Sequence, residues 1–224
     1  MRARVRVFLV AAALAVASCA SLGTLRNPSG ETVRVSRAIA GSLELVAAGD
    51  AAYAAADPTG ATGVPGEGKV IRPHVVRLTR DMPVYRLWAG PAVKDEQGRT
   101  SRIGQWWTCE PPAGTLASFR RRYEVCEKWD SLRWVAQCTL RRGAVVVIGP
   151  GQSVSAQTCG VQTESYPAND RDFQVYIHEA WKHMSPPDGE LSCPDESRDY
   201  ENDPRDISHR QSGHSGSSGH STIQ

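Results

Sequence analysis

The chain has 224 residues, of which 40% are hydrophobic and 22% are charged, and its formal net charge at pH 7 is +2. This length accommodates one domain of ordinary size with additional terminal segments. The nearly balanced charge argues against a nucleic-acid-binding protein, which would concentrate basic residues along one face. The short arginine clusters in "FRRRYEV" and "RRGAVVV" lie between apolar residues and are typical of solvated helix and turn positions.

The N-terminal segment has the organisation of an export signal. Arg2, Arg4 and Arg6 precede "VFLVAAALAVA", an apolar run that is too short for a stable membrane span. The run ends in "VASC", which resembles the lipobox of bacterial lipoproteins. The resemblance implies that residues 1–18 are removed and that Cys19 becomes an acylated N-terminus in the cell envelope. Ala20 favours the outer over the inner membrane; ordinary cleavage nearby, which would release the protein, is the alternative.

The segments that flank the central domain are predicted from composition. Residues 19–69 are rich in Ala, Gly, Ser, Thr and Pro and are predicted to be a tether. The tether includes one predicted helix across "VRVSRAIAGSLELVAAGDAAYAAA" and a linker at "DPTGATGVPGEGK". The domain then covers residues 70–185. Residues 186–224 are acidic and then Ser/Gly/His-rich, and they are predicted to be a disordered tail whose histidines offer no preformed metal geometry.

Within the domain, the predicted elements alternate between strands and one helix. "MPVYRLW" and "GQWWTC" are strand signals separated by a polar loop, and "GTLASFRRRYEVCEKW" has helical spacing with Thr115 as N-cap. "SLRWVAQCTL" alternates, with Leu132, Trp134, Ala136 and Cys138 on one face, and "GAVVVIG" and "DFQVYIHE" add two further strands. We therefore predict an α+β fold, with a small mixed or antiparallel sheet and one main helix.

Export to an oxidising compartment predicts that the cysteines of the domain form disulfides. Apart from Cys19, the cysteines are Cys109, Cys126, Cys138, Cys159 and Cys193. Their number is odd, so one must lack an intramolecular partner, and Cys193 in the polar tail is the predicted unpaired cysteine. The other four allow three pairings, and a Cys138–Cys159 bridge would contribute about 3 kcal/mol in the chain-entropy model.

The stretch "QVYIHEAWKHM" contains His178, Glu179 and His183. A zinc-protease H-E-x-x-H motif needs its two histidines on one helical face, with the glutamate as base. Here the histidines are five residues apart, so they would diverge on a helix and occupy opposite faces of a strand. No metal ligand is therefore predicted.

Other catalytic motifs are absent from the sequence. "VVVIGPGQS" lacks both the lysine of a phosphate loop and the third glycine of a dinucleotide fingerprint, so it is predicted to be a tight turn. The sequence has no G-x-S-x-G motif, and its domain shows no carboxylate pair of the kind a glycosidase uses. Three acidic residues near the helix are predicted to be solvated: Glu110, Glu124 and Glu127.

Polar residues embedded in aromatic strands form the strongest candidate site. They are Arg86 in "VYRLWAG", Trp107 and Thr108 in "GQWWTC", and Gln174 in "FQVYI". An arginine inside an apolar strand is costly to bury unless an anion such as a diphosphate pairs with it. With this order of elements, the region from about Val84 to Ile177 resembles the ADP-ribosyltransferase-like folds, and in particular the tuberculosis-necrotizing-toxin type of NAD glycohydrolase.

The resemblance implies a role for each of these residues. Arg86 would bind the NAD diphosphate, Trp107 would stack on the nicotinamide or its ribose, and Thr108 would support the ribose. Gln174 would hydrogen-bond the ribose or position water, because a glutamine stabilises charge by its dipole and cannot ionise. NAD would be a substrate, and no bound cofactor is implied.

A non-catalytic binding or structural module of the cell envelope is the alternative function. In that case Arg86 pairs with Glu124 or Asp130, and the tryptophans belong to the core. The toxin type uses a catalytic histidine, and neither His74 nor His178 matches its position. Only the enzyme requires Arg86 and Gln174 to meet at an open pocket.

Overall fold

A computed structural model of the protein describes residues 22–26, 30, 32–184 and 189–208. The predicted signal, the lipobox residue Cys19 and residues 209–224 lie outside these ranges. Within them, every helix is too short or too polar to cross a membrane.

The described residues form one large sheet and a separate hairpin, in agreement with the predicted α+β class. The hairpin consists of β1 (Leu22–Arg26) and β2 (Thr32–Ser36). The large sheet contains β3 (Leu43–Leu45), β4 (His74–Leu78), β5 (Met82–Trp88), β6 (Trp106–Thr108), β7 (Trp134–Leu140), β8 (Val145–Pro150), β9 (Phe173–Tyr176), β10 (Leu191–Ser192) and β11 (Tyr200–Glu201). Its order is β10-β7-β5-β6-β9-β8-β4-β3, with β11 also paired to β7, and its pairings are antiparallel.

The main helix of the described residues is α4, the fourth of five in chain order. The helices are α1 (Arg37–Ala40), α2 (Ala51–Ala55), α3 (Pro58–Ala61), α4 (Leu116–Tyr123) and α5 (Ala156–Cys159), and 3₁₀ turns cover Ala180–Met184 and Glu196–Arg198. Thr115 caps α4 as predicted, because its hydroxyl accepts the Ser118 N–H at 3.1 Å and Ser118 Oγ accepts the Thr115 N–H at 3.0 Å. The helix ends earlier than the sequence pattern indicated, because Glu124 adopts a left-handed backbone with φ of 51°.

Hydrophobic clusters cover both faces of the sheet. Phe119 and Tyr123 of α4 pack with Leu87 and Val135 on one face. A larger cluster includes Val84, Trp107, Val175 and Ile148 together with residues of the hairpin and of α1. Consecutive strand residues point to opposite faces, so Val84 and Leu87 belong to different clusters.

The prediction that residues 19–69 form a tether with one helix is wrong for the part that the structure describes. Val33 and Val35 alternate as buried strand residues, and Leu43 of β3 pairs with Leu78 of β4. The predicted linker contains α3 and is anchored by backbone bonds such as Gly66 N–H to Ser153 O, at 3.1 Å. Small residues suggested flexibility, but the apolar residues among them enter the core.

The prediction that residues 186–224 form a disordered tail is also wrong for residues 189–208. Both β10 and β11 pair with β7, and Ile207 is fully buried. Arg102 and Asp199 form a buried ion pair, with Nε and Oδ2 2.7 Å apart and Nη2 and Oδ1 2.9 Å apart. Few apolar groups are present in this segment, but the sheet and the ion pair order it.

The prediction of disulfide bonds is confirmed, but the prediction that Cys193 is the unpaired cysteine is wrong. The bridges are Cys126–Cys159 and Cys138–Cys193. Cys193 is therefore paired, because the pairing of β10 with β7 brings it next to Cys138. Among the described residues the free cysteine is Cys109, which is buried after β6, and burial raises the pKa of its thiol to about 12.

Candidate functional site

A cavity of about 410 Å³ lies against the sheet beside α4. Its volume falls within the range of about 300–1,000 Å³ that small-molecule sites occupy. All four residues predicted from the sequence line it: Arg86, Trp107, Thr108 and Gln174. The cavity is also lined by Glu67, Lys69, Tyr85, Ser101, Trp106, Tyr123, Glu124, Trp129 and Asp130.

Strand register brings three of the lining residues side by side. Tyr85 of β5 is opposite Thr108 of β6, and Thr108 is opposite Gln174 of β9. Residues opposite each other on paired strands share a face of the sheet. Tyr85, Thr108 and Gln174 therefore form a row across three neighbouring strands.

Arg86 is held by backbone carbonyls and not by an ion pair. Its Nε donates to Ser101 O and its Nη1 donates to Trp106 O, both at 2.8 Å. Among the described residues, no carboxylate lies within ion-pair distance of its guanidinium, so the alternative pairing with Glu124 or Asp130 is not formed. Burial lowers the pKa of Arg86, and the charge of Asp130 opposes this shift. Only two of the five guanidinium N–H groups are used by these bonds, so Arg86 retains donors for an anion.

The ring of Trp107 does not offer the open stacking face expected of it. The residue is only 2% exposed, its ring belongs to the core cluster that includes Val175, and its Nε1 donates to Gly104 O at 2.6 Å. Adjacent residues on a strand point to opposite faces of the sheet, so Trp107 leaves the strand on the face opposite to Thr108; Arg86, which follows Tyr85, does so as well, and both residues reach the cavity lining from that face. Trp106 lies on the side of Thr108, is half-buried, and contacts Tyr176 with ring centroids 4.9 Å apart. Trp106 is therefore the aromatic wall on that side.

Thr108 and Gln174 already use their donors within the protein. The hydroxyl of Thr108 donates to Glu110 O at 2.8 Å. The Nε2 of Gln174 donates to Tyr123 O at 3.2 Å and to Glu124 Oε2 at 3.0 Å. Both amide hydrogens of Gln174 are thereby occupied, so its Oε1 remains as an acceptor.

Glu124 is a functional candidate that the sequence analysis placed on the solvated surface. Glu124 is only 1% exposed. Asn169 Nδ2 donates to Oε1, and Gln174 Nε2 donates to Oε2. Gly151 makes room for the carboxyl group, because a Cβ at that position would lie 1.7 Å from Oε2. Gly151 and the segment from Asn169 to Gln174, both distant from Glu124 in sequence, thus enclose this one carboxyl group.

The environment of Glu124 raises the pKa of its carboxyl group towards neutral pH. Burial raises the pKa of the carboxyl group to about 8, although the amide hydrogen bonds from Asn169 and Gln174 lower it. A carboxyl group with such a pKa exchanges its proton under physiological conditions, and such groups concentrate at functional sites. No sequence signal marked it, because the helical pattern of the sequence continues past Glu124 and its left-handed backbone is visible only in the folded chain.

Trp129 marks the mouth of the cavity. Trp129 is 44% exposed, and it lines both the cavity and a neighbouring depression of about 480 Å³. The depression also shares Ser101 and Asp130 with the cavity, and it carries the basic residues Lys94, Arg99 and Lys128. A ligand longer than the cavity would leave it past Trp129.

The histidines of "QVYIHEAWKHM" contact different partners. His178 Nδ1 lies 3.4 Å from Asp57 Oδ2, whereas His183 Nδ1 lies 3.0 Å from Glu190 Oε2. Neither His74 nor His178 is among the residues that line the cavity.

The chemistry of the site has to be inferred from its own residues. No protein-family model, no curated protein and no solved structure matches the chain.

Proposed function

We propose that the cavity binds NAD and that the domain hydrolyses the bond between nicotinamide and ribose. One observation carries the proposal: Arg86 and Gln174, which lie on different strands, line one cavity of small-molecule size. Arg86 is positively charged and Gln174 is a fixed acceptor, which suits the diphosphate and the ribose of one ligand.

Arg86 is the proposed diphosphate ligand. Its guanidinium is fixed by Ser101 O and Trp106 O and retains free N–H donors, so little side-chain entropy is lost when a phosphate binds. Lys69 lines the same cavity and adds a second positive charge.

The nicotinamide ring is proposed to stack on Trp106. The ring is cationic in NAD, and an indole face attracts cations. The adenine end would leave the cavity past the exposed ring of Trp129, which offers a second stacking surface.

Gln174 and Thr108 are proposed to orient the ribose. Their donors are occupied within the protein, so each acts on a ribose hydroxyl or a water molecule as an acceptor. An acceptor dipole near C1′ stabilises the oxocarbenium-like charge that develops as the glycosidic bond loosens.

The test is nicotinamide release from NAD by the purified, oxidised protein, measured together with NAD binding. Turnover should be lost in Arg86→Ala and in Gln174→Ala. It should persist in Arg133→Ala, which removes an exposed arginine whose Nη2 contacts Glu201 at 2.7 Å. A parent protein that neither binds nor cleaves NAD would contradict the proposal.

A non-catalytic envelope-binding module is the second candidate. It is favoured by the absence of His74 and His178 from the cavity lining, since the resemblance implies a catalytic histidine. NAD binding without nicotinamide release by the parent protein would support this function.

We also propose that the protein is exported and anchored to the bacterial cell envelope through acylated Cys19. The lipobox pattern "VASC" after an apolar export signal supports this location. Cells expressing the protein and fed a labelled fatty acid should incorporate the label into it, and Cys19→Ala should abolish incorporation. Release of the unlabelled parent into the medium would contradict anchoring.

A further inference from the structure

We propose that Glu124 is the catalytic base of the cavity, that Asn169 is a positioning residue for its carboxylate, and that Gln174, besides contacting the ribose, holds the same carboxylate through its amide. This inference rests on the proposed NAD hydrolysis and assigns its proton-accepting group, for which the sequence resemblance supplied no residue.

The backbone at Glu124 indicates that its side chain is needed at this place. Glu124 ends α4 in the left-handed region, where a side chain is disfavoured and glycine would adopt the same φ of 51° without strain. Its carboxyl group also occupies the space that a side chain at position 151 would fill, so it can lie there only because residue 151 is glycine. Ending the helix requires neither feature, whereas delivering a carboxyl group to the cavity wall requires both.

The carboxyl group retains acceptor capacity for a proton. Its oxygens accept one amide hydrogen each, from Asn169 and from Gln174, and a carboxylate offers about four acceptor positions. Among the described residues, no cation forms an ion pair with it. Asp130 also lines the cavity and also accepts two hydrogen bonds, from the Ser101 hydroxyl at 3.0 Å and the Leu132 N–H at 2.9 Å, but it is only half-buried. Glu124 is therefore the buried carboxylate of this cavity.

The proposed step balances with water as the only co-reactant. The bond from C1′ of the ribose to N1 of nicotinamide breaks, and its electron pair leaves with nicotinamide, which becomes neutral. The oxygen of water bonds to C1′, and the carboxylate of Glu124 accepts the proton that this water loses. The proton then passes to solvent, which leaves ADP-ribose, nicotinamide and the regenerated carboxylate.

Other charged or titratable groups flank Glu124 or line the same cavity. They come from α4, from β5, from the residue before β9 and from the loops of the cavity wall: Arg122, Tyr123, Arg86, Asp172, Glu67, Lys69 and Asp130. Asp172 favours the protonated form, but it is itself paired with Arg122 at 2.7 Å. Because a base must be ionised, kcat/KM should rise with pH and level off above a pKa near 8, the value that burial gives Glu124.

The experiment compares the full protein with Glu124→Gln and with Glu127→Gln, which removes an exposed acid three residues further along the chain. NAD binding, nicotinamide release and the pH profile are measured for each. Glu124→Gln should reduce turnover by about 100-fold or more and change NAD affinity by less than about threefold, because general base catalysis contributes roughly 10²–10⁴ to the rate. Glu127→Gln should behave as the parent does.

Asn169→Ala tests the positioning role and keeps the proposal testable if Glu124→Gln does not fold. Loss of the amide donor removes a contact that favours the ionised form, so the rising limb of the profile should move to higher pH. Retained turnover in Glu124→Gln, a parent profile that falls with pH, or an unchanged limb in Asn169→Ala would each overturn the inference while NAD hydrolysis itself stands. A parent that releases no nicotinamide would overturn both.

Discussion

The two adjacent tryptophans of β6 show how strand alternation divides structural and binding residues. Trp107 is buried in the core, whereas Trp106 is half-buried and lines the cavity on the side of Thr108. Trp107→Ala should lower the free energy of unfolding by about 3–5 kcal/mol, because it removes a large core side chain. Trp106→Ala should cost less stability and should weaken NAD binding more.

Urea unfolding and NAD titration of both variants check this prediction. The contrast between the variants matters more than either value, because the chemical change is the same. Weaker binding in Trp107→Ala than in Trp106→Ala, with the fold of both intact, would assign the stacking role to Trp107 after all.

The buried carboxyl group of Glu124 should make stability depend on pH. Its pKa in the folded protein, about 8, lies above the ordinary value of 4.5. Between these pH values the folded protein holds a proton that the unfolded chain has lost, so the contribution of Glu124 to stability is fully present below about pH 4.5 and is lost as pH rises towards 8. The loss amounts to a few kcal/mol, at most roughly 5, since each pKa unit corresponds to about 1.4 kcal/mol.

Unfolding of the parent and of Glu124→Gln as a function of pH isolates this contribution. The variant has no carboxyl group to ionise, so the parent should lose stability relative to the variant between about pH 5 and 8. Parallel curves would show that Glu124 titrates in the same way in the folded and the unfolded states.

At the scale of elements, long periodic segments were predictable and short ones were not. The patterns in "MPVYRLW", "SLRWVAQCTL" and "GAVVVIG" correspond to β5, β7 and β8, and the cap at Thr115 to the start of α4. By contrast, β10 and β11 contain two residues each, so their own sequence carries no period, and only the pairing with β7 defines them.

The same limit applies to the candidate site. Arg86, Thr108 and Gln174 were identified because polar residues inside apolar strands need partners. Glu124 was missed because its burial depends on Gly151 and Asn169, whose proximity arises only in the folded chain.

The two disulfides are expected to differ in their effect on the site. Cys126–Cys159 fixes the segment after α4, which carries Trp129 and Asp130, whereas Cys138–Cys193 fastens β10 to β7. Their sequence separations of 33 and 55 residues predict similar contributions of about 4 kcal/mol in the chain-entropy model. Removal of the first bridge should therefore weaken NAD binding more than removal of the second, at a comparable loss of stability.

The measurement compares Cys126→Ser/Cys159→Ser with Cys138→Ser/Cys193→Ser by urea unfolding and NAD titration. Each double variant serves as the control for the other, because both remove one bridge of similar loop length. Equal weakening of NAD binding would mean that the segment after α4 keeps its position without the Cys126–Cys159 bridge.

At the scale of the whole molecule, segments from both ends of the described chain complete the central sheet. Val33, Val35 and Ile39 lie in the main core cluster, and β3 extends the sheet beyond β4. At the other end, β10 and β11 pair with β7. The region from 70 to 185 is therefore only the middle of a larger cooperative unit.

A fragment of residues 70–185 should consequently fail to fold cooperatively. It lacks Asp199, so the buried guanidinium of Arg102 loses its ion-pair partner, a change that typically costs about 3–5 kcal/mol. It also lacks Cys193, the hairpin side chains of the core and three strands of the sheet. These losses together are comparable to the roughly 5–15 kcal/mol that stabilises an ordinary domain. Residues 22–208 keep every one of these contacts and should show one cooperative urea transition near that of the full chain, whereas a matching transition in the 70–185 fragment would show that the flanking segments are dispensable for folding.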